Sequence, residues 1–321
     1  METEDTDRPT TGNPRRVAFL GPAGTFTEQA LHREADLSAA ELIECDSMVE
    51  ALFAVNEGSA DLGVVPIENA IEGTVNATID TLAFDVDLRI QRELVEPVAL
   101  NLLAPRGAKL GDIKSVHSIP VATAQCRSWL RSNLGTVEHI AANSTAEAAA
   151  TVANAEDPTA AAIGNRRAAE VYGLEVLGPD IEDHPENHTR FVVVGRDAVP
   201  APTGHDKTSI LVYQRADRPG SLLGILQEFA ARGINLTLLL SRPTKKNLGD
   251  YCFLVDLEGH VDDEVVADCL GTLKATQADV KFLGSYPAAG SDGPSRRAEF
   301  GAKANEAREW VRSIRGFVER D

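Results

Sequence analysis

The chain has 321 residues, 43% of them apolar and 25% charged, enough for two or three domains with full cores and too apolar for a disordered protein. Against 31 basic residues stand 49 acidic ones, a net charge of −18, which argues against a nucleic-acid or acidic-membrane surface and requires any anionic ligand to be held by local groups. The first 16 residues carry four acids and three bases, and the stretch from Pro287 onward six and seven, so the folded body carries the whole excess. The opening METEDTDRPTTGNPRR has no apolar stretch and no 18-residue apolar run follows, so neither secretion nor membrane insertion is expected and a cytoplasmic protein is. Cys45, Cys126, Cys252 and Cys269 form no CxxC pair, and no histidine lies at metal-ligand spacing. Small buried thiols, no metal and no cofactor are expected, since the phosphate-binding glycine motifs are also absent.

From Arg16 onward, short β-rich runs alternate with helical periods. Strands are predicted at Val17 to Leu20, Leu42 to Cys45, Gly63 to Ile67, Ile113 to Val116, Val137 to Ala141, Ala160 to Ile163 and Arg190 to Val194. Helices are predicted at Phe26 to Glu34, Met48 to Glu57, Val75 to Ala83, Val121 to Arg131 and Thr145 to Ala153. Such alternation predicts a doubly wound α/β architecture. Leu88 to Ala104 is a long β-rich run broken at Glu96-Pro97, and it reads as a crossover between two lobes. A return near Gly178-Pro179 would give lobes of about 16–92 plus 180–197 and of 97–177, after a disordered tail at 1–15. Residues 198–206, rich in proline and glycine, read as a linker. Residues 207–287 then run strand, helix, strand, strand, helix, strand, the βαββαβ ferredoxin-like order. Residues 288–321 are read as a tail.

Several strands of the first region end in short polar residues before a helix. Gly21-Pro22-Ala23-Gly24-Thr25-Phe26-Thr27-Glu28 has capping-box spacing, whose freed amides can bind an anion. Pro66-Ile67-Glu68-Asn69-Ala70-Ile71-Glu72-Gly73-Thr74-Val75 gathers two carboxylates, an amide and a hydroxyl. Ser118-Ile119-Pro120, Asn143-Ser144-Thr145 and Asn187-His188-Thr189-Arg190-Phe191 complete the set. In α/β sheets ligands bind outside the carboxyl ends of strands, so these loops suggest a small carboxylate-bearing molecule, with Arg190 the one cation beside them.

At these residues the sequence resembles the prephenate dehydratase family. The matching segments are Gly21 to Glu28, Pro66 to Val75, Ala124-Gln125-Cys126, Asn143-Ser144-Thr145, and Asn187 followed by Thr189-Arg190-Phe191. The unit at 207–287 resembles an ACT domain through Arg218-Pro219-Gly220-Ser221-Leu222, Gly233-Ile234-Asn235-Leu236 and Ser241-Arg242-Pro243. The resemblance implies a two-lobed catalytic domain, similar in kind to periplasmic binding proteins, followed by an ACT domain. It also implies a carbon–oxygen lyase that turns prephenate into phenylpyruvate, with phenylalanine as inhibitor and assembly as a homodimer or homotetramer. Departures from the family pattern stand at Ala70, Ile119 and Leu240, and the chain resembles the monofunctional rather than the mutase-fused members.

By this resemblance Thr189 lies beside the leaving hydroxyl; chemically it suits a hydrogen-bond donor or relay, and Glu68 or Glu72, with a pKa raised by burial, is the candidate proton source, the alternative for either being a helix cap or a partner of Arg190. Thr25, Ser118, Asn143, Ser144, Thr145 and Arg190 are expected to hold the carboxylates. Phe26, Asn69, Gly73, Thr74, Gln125, Asn187 and Phe191 complete the substrate site. Phenylalanine is expected at Gly220, Ser221, Leu222, Asn235, Leu236, Ser241, Arg242 and Pro243. Two other readings remain open from the motifs: arogenate as substrate, and a non-catalytic two-lobed protein that senses an amino acid.

Overall fold

In a computed structural model, residues 16–197, 199–214, 219–244, 251–289, 309–310 and 313 are described. Contacts divide the chain into two units, Met1–Asp87 with Leu94–Arg196, and Leu88–Glu93 with Asp197–Asp321. The terminal tails and Arg218 lie largely or wholly outside the described residues.

The first unit holds two lobes, each around its own sheet. The first lobe begins with β1 (Arg16–Leu20), α1 (Phe26–His32), α2 (Ala35–Ser38), β2 (Glu41–Cys45) and α3 (Met48–Asn56). It continues with β3 (Leu62–Asn69), β4 (Gly73–Thr74), α4 (Asn76–Phe84) and β5 (Arg89–Pro97). After β5 the chain enters a second sheet and comes back to the first only at β11 (His188–Gly195), giving the order β2-β1-β3-β11-β5 with β4 on β3. Pro97, which has no amide proton to donate, ends the edge strand, where its missing bond is tolerated. Phe19, Leu31 and Phe191 are almost fully buried in this lobe's core, each contributing roughly 1.5–3 kcal/mol of apolar burial.

The second lobe contains β6 (Asn101–Ala104), β7 (Ser115–Ser118), α5 (Pro120–Gln125), α6 (Arg127–Asn133) and β8 (Glu138–Ala141). α7 (Thr145–Ala155), β9 (Ala160–Gly164), α8 (Arg166–Tyr172) and β10 (Glu175–Gly178) follow, with sheet order β10-β6-β9-β7-β8. The single helix expected over Val121 to Arg131 is two helices, because Cys126 adopts φ −111° and ψ 11° and turns the chain between them. α8 was not anticipated. Asn165 caps its start by accepting from the Ala168 amide, and Gly173 ends it at φ 69°.

The second unit runs β12 (Asp206–Gln214), α9 (Ser221–Ala231), β13 (Leu236–Pro243), β14 (Tyr251–Glu258), α10 (Glu264–Thr272) and β15 (Ala278–Pro287), in the antiparallel order β13-β14-β12-β15. This is the βαββαβ arrangement expected from the sequence. Leu88–Glu93 contains the start of β5 in the first lobe's sheet, as expected, and groups by its contacts with this unit. Buried Glu93 takes the Lys207 ammonium at 2.9 Å, and Gly284, at φ 145°, lies against the Ile90 backbone with no room for a Cβ.

Candidate active site

Antiparallel pairing of β3 with β11 sets Thr189 opposite Asn69 and Arg190 opposite Glu68. Between Arg190 and Phe191 the register shifts, leaving Ile67 as an extra residue on β3. A bulge of this kind re-aims neighbouring side chains. Phe191 beyond it is buried in the first lobe's core, while Thr189 and Arg190 before it stay partly accessible. Pro66 lies at the bulge and past Val64, the last residue of β3 paired to β1, so its missing N–H breaks no ladder to that strand.

Asn69 organises this end of the sheet. Its Oδ1 accepts from the Ile71 and Glu72 amides, both at 2.9 Å, which fixes its Nδ2 as the donor to Thr189 Oγ1 at 2.9 Å. Thr189 Oγ1 therefore accepts from an amide and keeps its own proton to donate. Arg190 Nη1 approaches Glu68 Oε2 at 3.7 Å, a loose pair in which the guanidinium is 11% and the carboxylate 38% exposed. Glu72 is exposed. Neither glutamate is enclosed as expected: Glu68 is half-buried within β3 and Glu72 lies in the exposed β3–β4 turn.

The second lobe reaches this cluster through Gln125, whose Nε2 lies 3.4 Å from Glu72 Oε1 and whose Oε1 accepts from Asn187 Nδ2 at 3.3 Å. Asn187 is 2% exposed, and its Oδ1 has no hydrogen-bond partner. A buried acceptor left unmade is costly, so Asn187 marks a point where a donor is wanted.

The loop at Gly21 to Glu28 behaves differently from expectation. Its amides are already taken by the protein's own carboxylates: Ala23 N–H donates to Glu44 at 3.2 Å, and Gly24 N–H donates to Glu28. Thr25 caps α1, accepting from the Glu28 amide at 3.3 Å and donating to the Leu20 carbonyl at 3.1 Å, so its hydroxyl proton is engaged. Phe26 packs against the cores of both lobes, which makes it a wedge between them. Asn143 is likewise committed, donating its N–H and Nδ2 to Glu147, while Ser144 caps α7 by accepting from the Glu147 amide at 2.9 Å. Ser118 is buried and donates to the Ile163 carbonyl at 3.2 Å, and Thr145 is buried at 7% exposure. Gly73, at φ 81°, and Thr74 form the outer strand of the hairpin and are not buried.

Sequence reasoning missed the brace behind this loop. Glu28, 3% exposed, accepts from Arg167 Nη2 at 2.9 Å, and Tyr172 donates its hydroxyl to the Ala23 carbonyl at 2.7 Å, both from α8 of the opposite lobe. Burial pushes the Glu28 carboxyl upward, but hydrogen bonds from Arg167 and Gly24 outweigh that and hold it below its usual range. An Asn at the start and a Gly at the end of Arg166-Arg167-Ala168-Ala169-Glu170-Val171-Tyr172 were the available signal for α8. A cavity of about 400 Å³ opens beside β7 and β8 and shares only Ser118 with the expected substrate residues. Among the described residues no group of three or more His, Cys, Asp or Glu side chains is placed to hold a metal ion.

In the second unit, Gly220 starts α9 at φ 88°. Asn235 donates through Nδ2 to Glu258 at 2.9 Å, so its amide is tied to the neighbouring strand. Leu222 and Leu236 pack on this unit's core, Ser221 is half-buried, and Ser241, Arg242 and Pro243 pair along β13 with Phe253, Cys252 and Tyr251.

A doubly wound domain of two lobes, with polar strand ends converging on a Thr-Arg pair and a βαββαβ unit after it, defines a two-domain α/β enzyme with a ligand-sensing module. The family model "Prephenate dehydratase" matches residues 17–199, and the model "ACT domain" matches residues 208–274. The chain belongs to the prephenate dehydratase family and carries an ACT domain. It is 40% identical over 314 residues to a prephenate dehydratase of Mycolicibacterium smegmatis, covering 94% of this chain and 97% of that one. Among solved structures it is similar to the prephenate dehydratase of Arthrobacter aurescens in complex with L-Phe, at 41% identity and a TM-score of 0.81, covering 93% and 99% of the two chains. It is also similar to GqqA, described as a novel type of quorum-quenching acylase, at 29% identity and a TM-score of 0.78, covering 86% and 98%.

Proposed function

We propose that this protein is a prephenate dehydratase inhibited by phenylalanine through its ACT domain. The observation that carries the reading is the Asn69–Thr189 hydrogen bond beside Arg190 and Glu68, on strands of a chain that belongs to this family. In the reaction the ring carboxylate leaves as carbon dioxide, its bonding electrons aromatise the ring, and the ring hydroxyl departs. One proton joins that hydroxyl to make water. Thr189, accepting from Asn69, presents its own O–H to the departing oxygen and relays a proton to it. Glu68 and Glu72, on the hairpin that holds Asn69, are the carboxyls that resupply the proton. Arg190 binds a substrate carboxylate in place of its loose contact with Glu68. Ser144 and Gln125 from the other lobe, together with Asn187, complete the binding set. Thr25 and Asn143 act by holding their loops.

The acylase relative suggests a second activity, but acyl transfer needs a nucleophile activated by a base. Thr189 is bonded to an amide, and Cys126 is fully buried, with burial pushing its thiol pKa strongly upward. The dehydratase reading therefore stands first. Three fully buried free thiols, Cys126, Cys252 and Cys269, support a cytoplasmic setting. Leu223, Leu239 and Tyr251, exposed on the second unit, support assembly as a homodimer or homotetramer. The test is incubation of purified protein with prephenate, following phenylpyruvate with and without phenylalanine, beside a parallel series with arogenate. Absence of phenylpyruvate overturns the reading, and a higher kcat/KM for arogenate reassigns the substrate.

A further inference from the structure

The cavity beside β7 and β8 has a composition at odds with the rest of the molecule. Its lining includes Ser118, Arg127, Leu130, Arg131, His139 and Ile140, and no carboxylate lines it among the described residues. The whole chain carries 49 acids against 31 bases, so a recess with two guanidiniums, an imidazole and no acid is a local reversal of sign. Arg127 and Arg131 are one turn apart on α6, a spacing at which like charges repel and weaken a helix. The side chains of Arg127, Arg131 and His139 make no hydrogen bond or ion pair with another described residue, and the carboxylate at the start of α6, Asp183, is bonded to the Ser128 amide at 3.2 Å. Glu138, the first residue of β8, is exposed and does not line the recess.

The position also suits a ligand. Ser118 ends β7 and Ala141 ends β8, two parallel strands, so the cavity opens where α/β sheets bind small molecules. Its volume of about 400 Å³ lies in the range of small-molecule pockets. Leu130 and Ile140 give it apolar walls, against which charge-assisted hydrogen bonds are stronger than in open water.

We propose that this recess is a second anion site, distinct from the Thr189 cluster, that takes a small dianion bearing carboxylate or phosphate groups, with Arg127 and Arg131 as the principal ligands and His139 as the third. In a molecule whose bulk field repels anions, the site gathers them locally at the side of the cleft. The inference does not depend on the catalytic reading, and its test reads binding alone.

The experiment is titration of the full chain with inorganic phosphate and, separately, with malonate, by calorimetry at low ionic strength. The wild type is compared with Arg127→Gln/Arg131→Gln, with His139→Ala and with Arg190→Ala. The expected result is saturable 1:1 binding of at least one probe, weakened at least about tenfold in the double variant, lowered less by His139→Ala and retained in Arg190→Ala. The preferred probe identifies the ligand as phosphate-like or carboxylate-like. No saturable binding of either probe overturns the proposal. So does binding equal in wild type and double variant, or lost only in Arg190→Ala, which would put the anion at the Thr189 cluster. Both arginines are exposed, and an unchanged circular-dichroism melt verifies that the double variant is folded.

Discussion

The Arg167 guanidinium crosses from the second lobe to the Glu28 carboxylate of the first, bonding the same oxygen through Nη2 at 2.9 Å and Nε at 3.2 Å. That carboxylate also receives the Gly24 amide, so one side chain ties the position of the glycine-rich loop to the placement of the opposite lobe. Glu28 is 5% exposed in its side chain and Arg167 31%. Removing one partner of such a pair leaves a buried charge uncompensated. Arg167→Ala is expected to cost about 3 kcal/mol, and Arg167→Lys to restore only part because it cannot reproduce the forked contact. Urea unfolding of the three proteins measures this.

The same carboxylate sets a dependence on pH. Glu28 titrates below its usual value of 4.5 in the fold, so its contribution is fully present above that value and is lost as pH falls through the folded pKa. Glu96 behaves oppositely. Burial raises it above 4.5, and the hydrogen bond from Gln29 with the charge of Arg33 offsets only part of that. The folded protein therefore holds the Glu96 proton more tightly than the unfolded chain, and stability falls as pH rises from 4.5 through the raised value. Unfolding midpoints across acid to neutral pH should show Glu28→Gln most harmful at neutral pH and converging on wild type in acid. Glu96→Gln should gain relative to wild type as pH rises.

Thr189→Ala should lower kcat by roughly a hundredfold while leaving the thermal midpoint nearly unchanged, since the side chain is only partly buried and its bond to Asn69 lies at the sheet end. Thr189→Ser keeps the hydroxyl and should retain most of the turnover. Near-normal kcat in a folded alanine variant would remove Thr189 from the mechanism.

Two glycines separate strain from crowding. Gly24 has φ 89°, and a Cβ there would meet the Ala168 Cα and the Tyr172 ring at 3.1 Å, whereas Gly73 has φ 81° and open space around it. Gly73→Ala should cost about 1 kcal/mol from backbone strain alone. Gly24→Ala should cost clearly more, about 2–3 kcal/mol, by forcing the loop away from α8. Chemical denaturation of the pair gives the difference.

For the ACT domain, calorimetry with phenylalanine should show saturable heat, and the same ligand at millimolar concentration should slow phenylpyruvate formation. Neither effect would leave Gly220 and its neighbours as structural elements only.

Much of this architecture was legible because local chemistry repeats the global order. Val64 and Val65 before a polar turn read as a strand end, and the strand-helix-strand-strand-helix-strand order of the second unit followed from its hydrophobic runs. What escaped was non-local. Nothing near Gly24 announces that Glu44 and Arg167 will satisfy or brace its loop, so amides expected to be free for an anion proved occupied. The β3–β11 register joins residues about 120 positions apart, and the bulge at Ile67 that buries Phe191 while sparing Arg190 exists only once those strands pair. Cys126 carries no glycine or proline to warn of the break it makes between α5 and α6.

Gly284 accepts the Ile90 backbone where no side chain would fit, and Lys207 finds its carboxylate at Glu93. The regulatory module is thus composed of two stretches of chain, with more than a hundred intervening residues devoted to the catalytic lobes. A fragment starting at Asp197 would keep all four strands of its sheet but would uncover Gly284 and leave Lys207 without the Glu93 carboxylate.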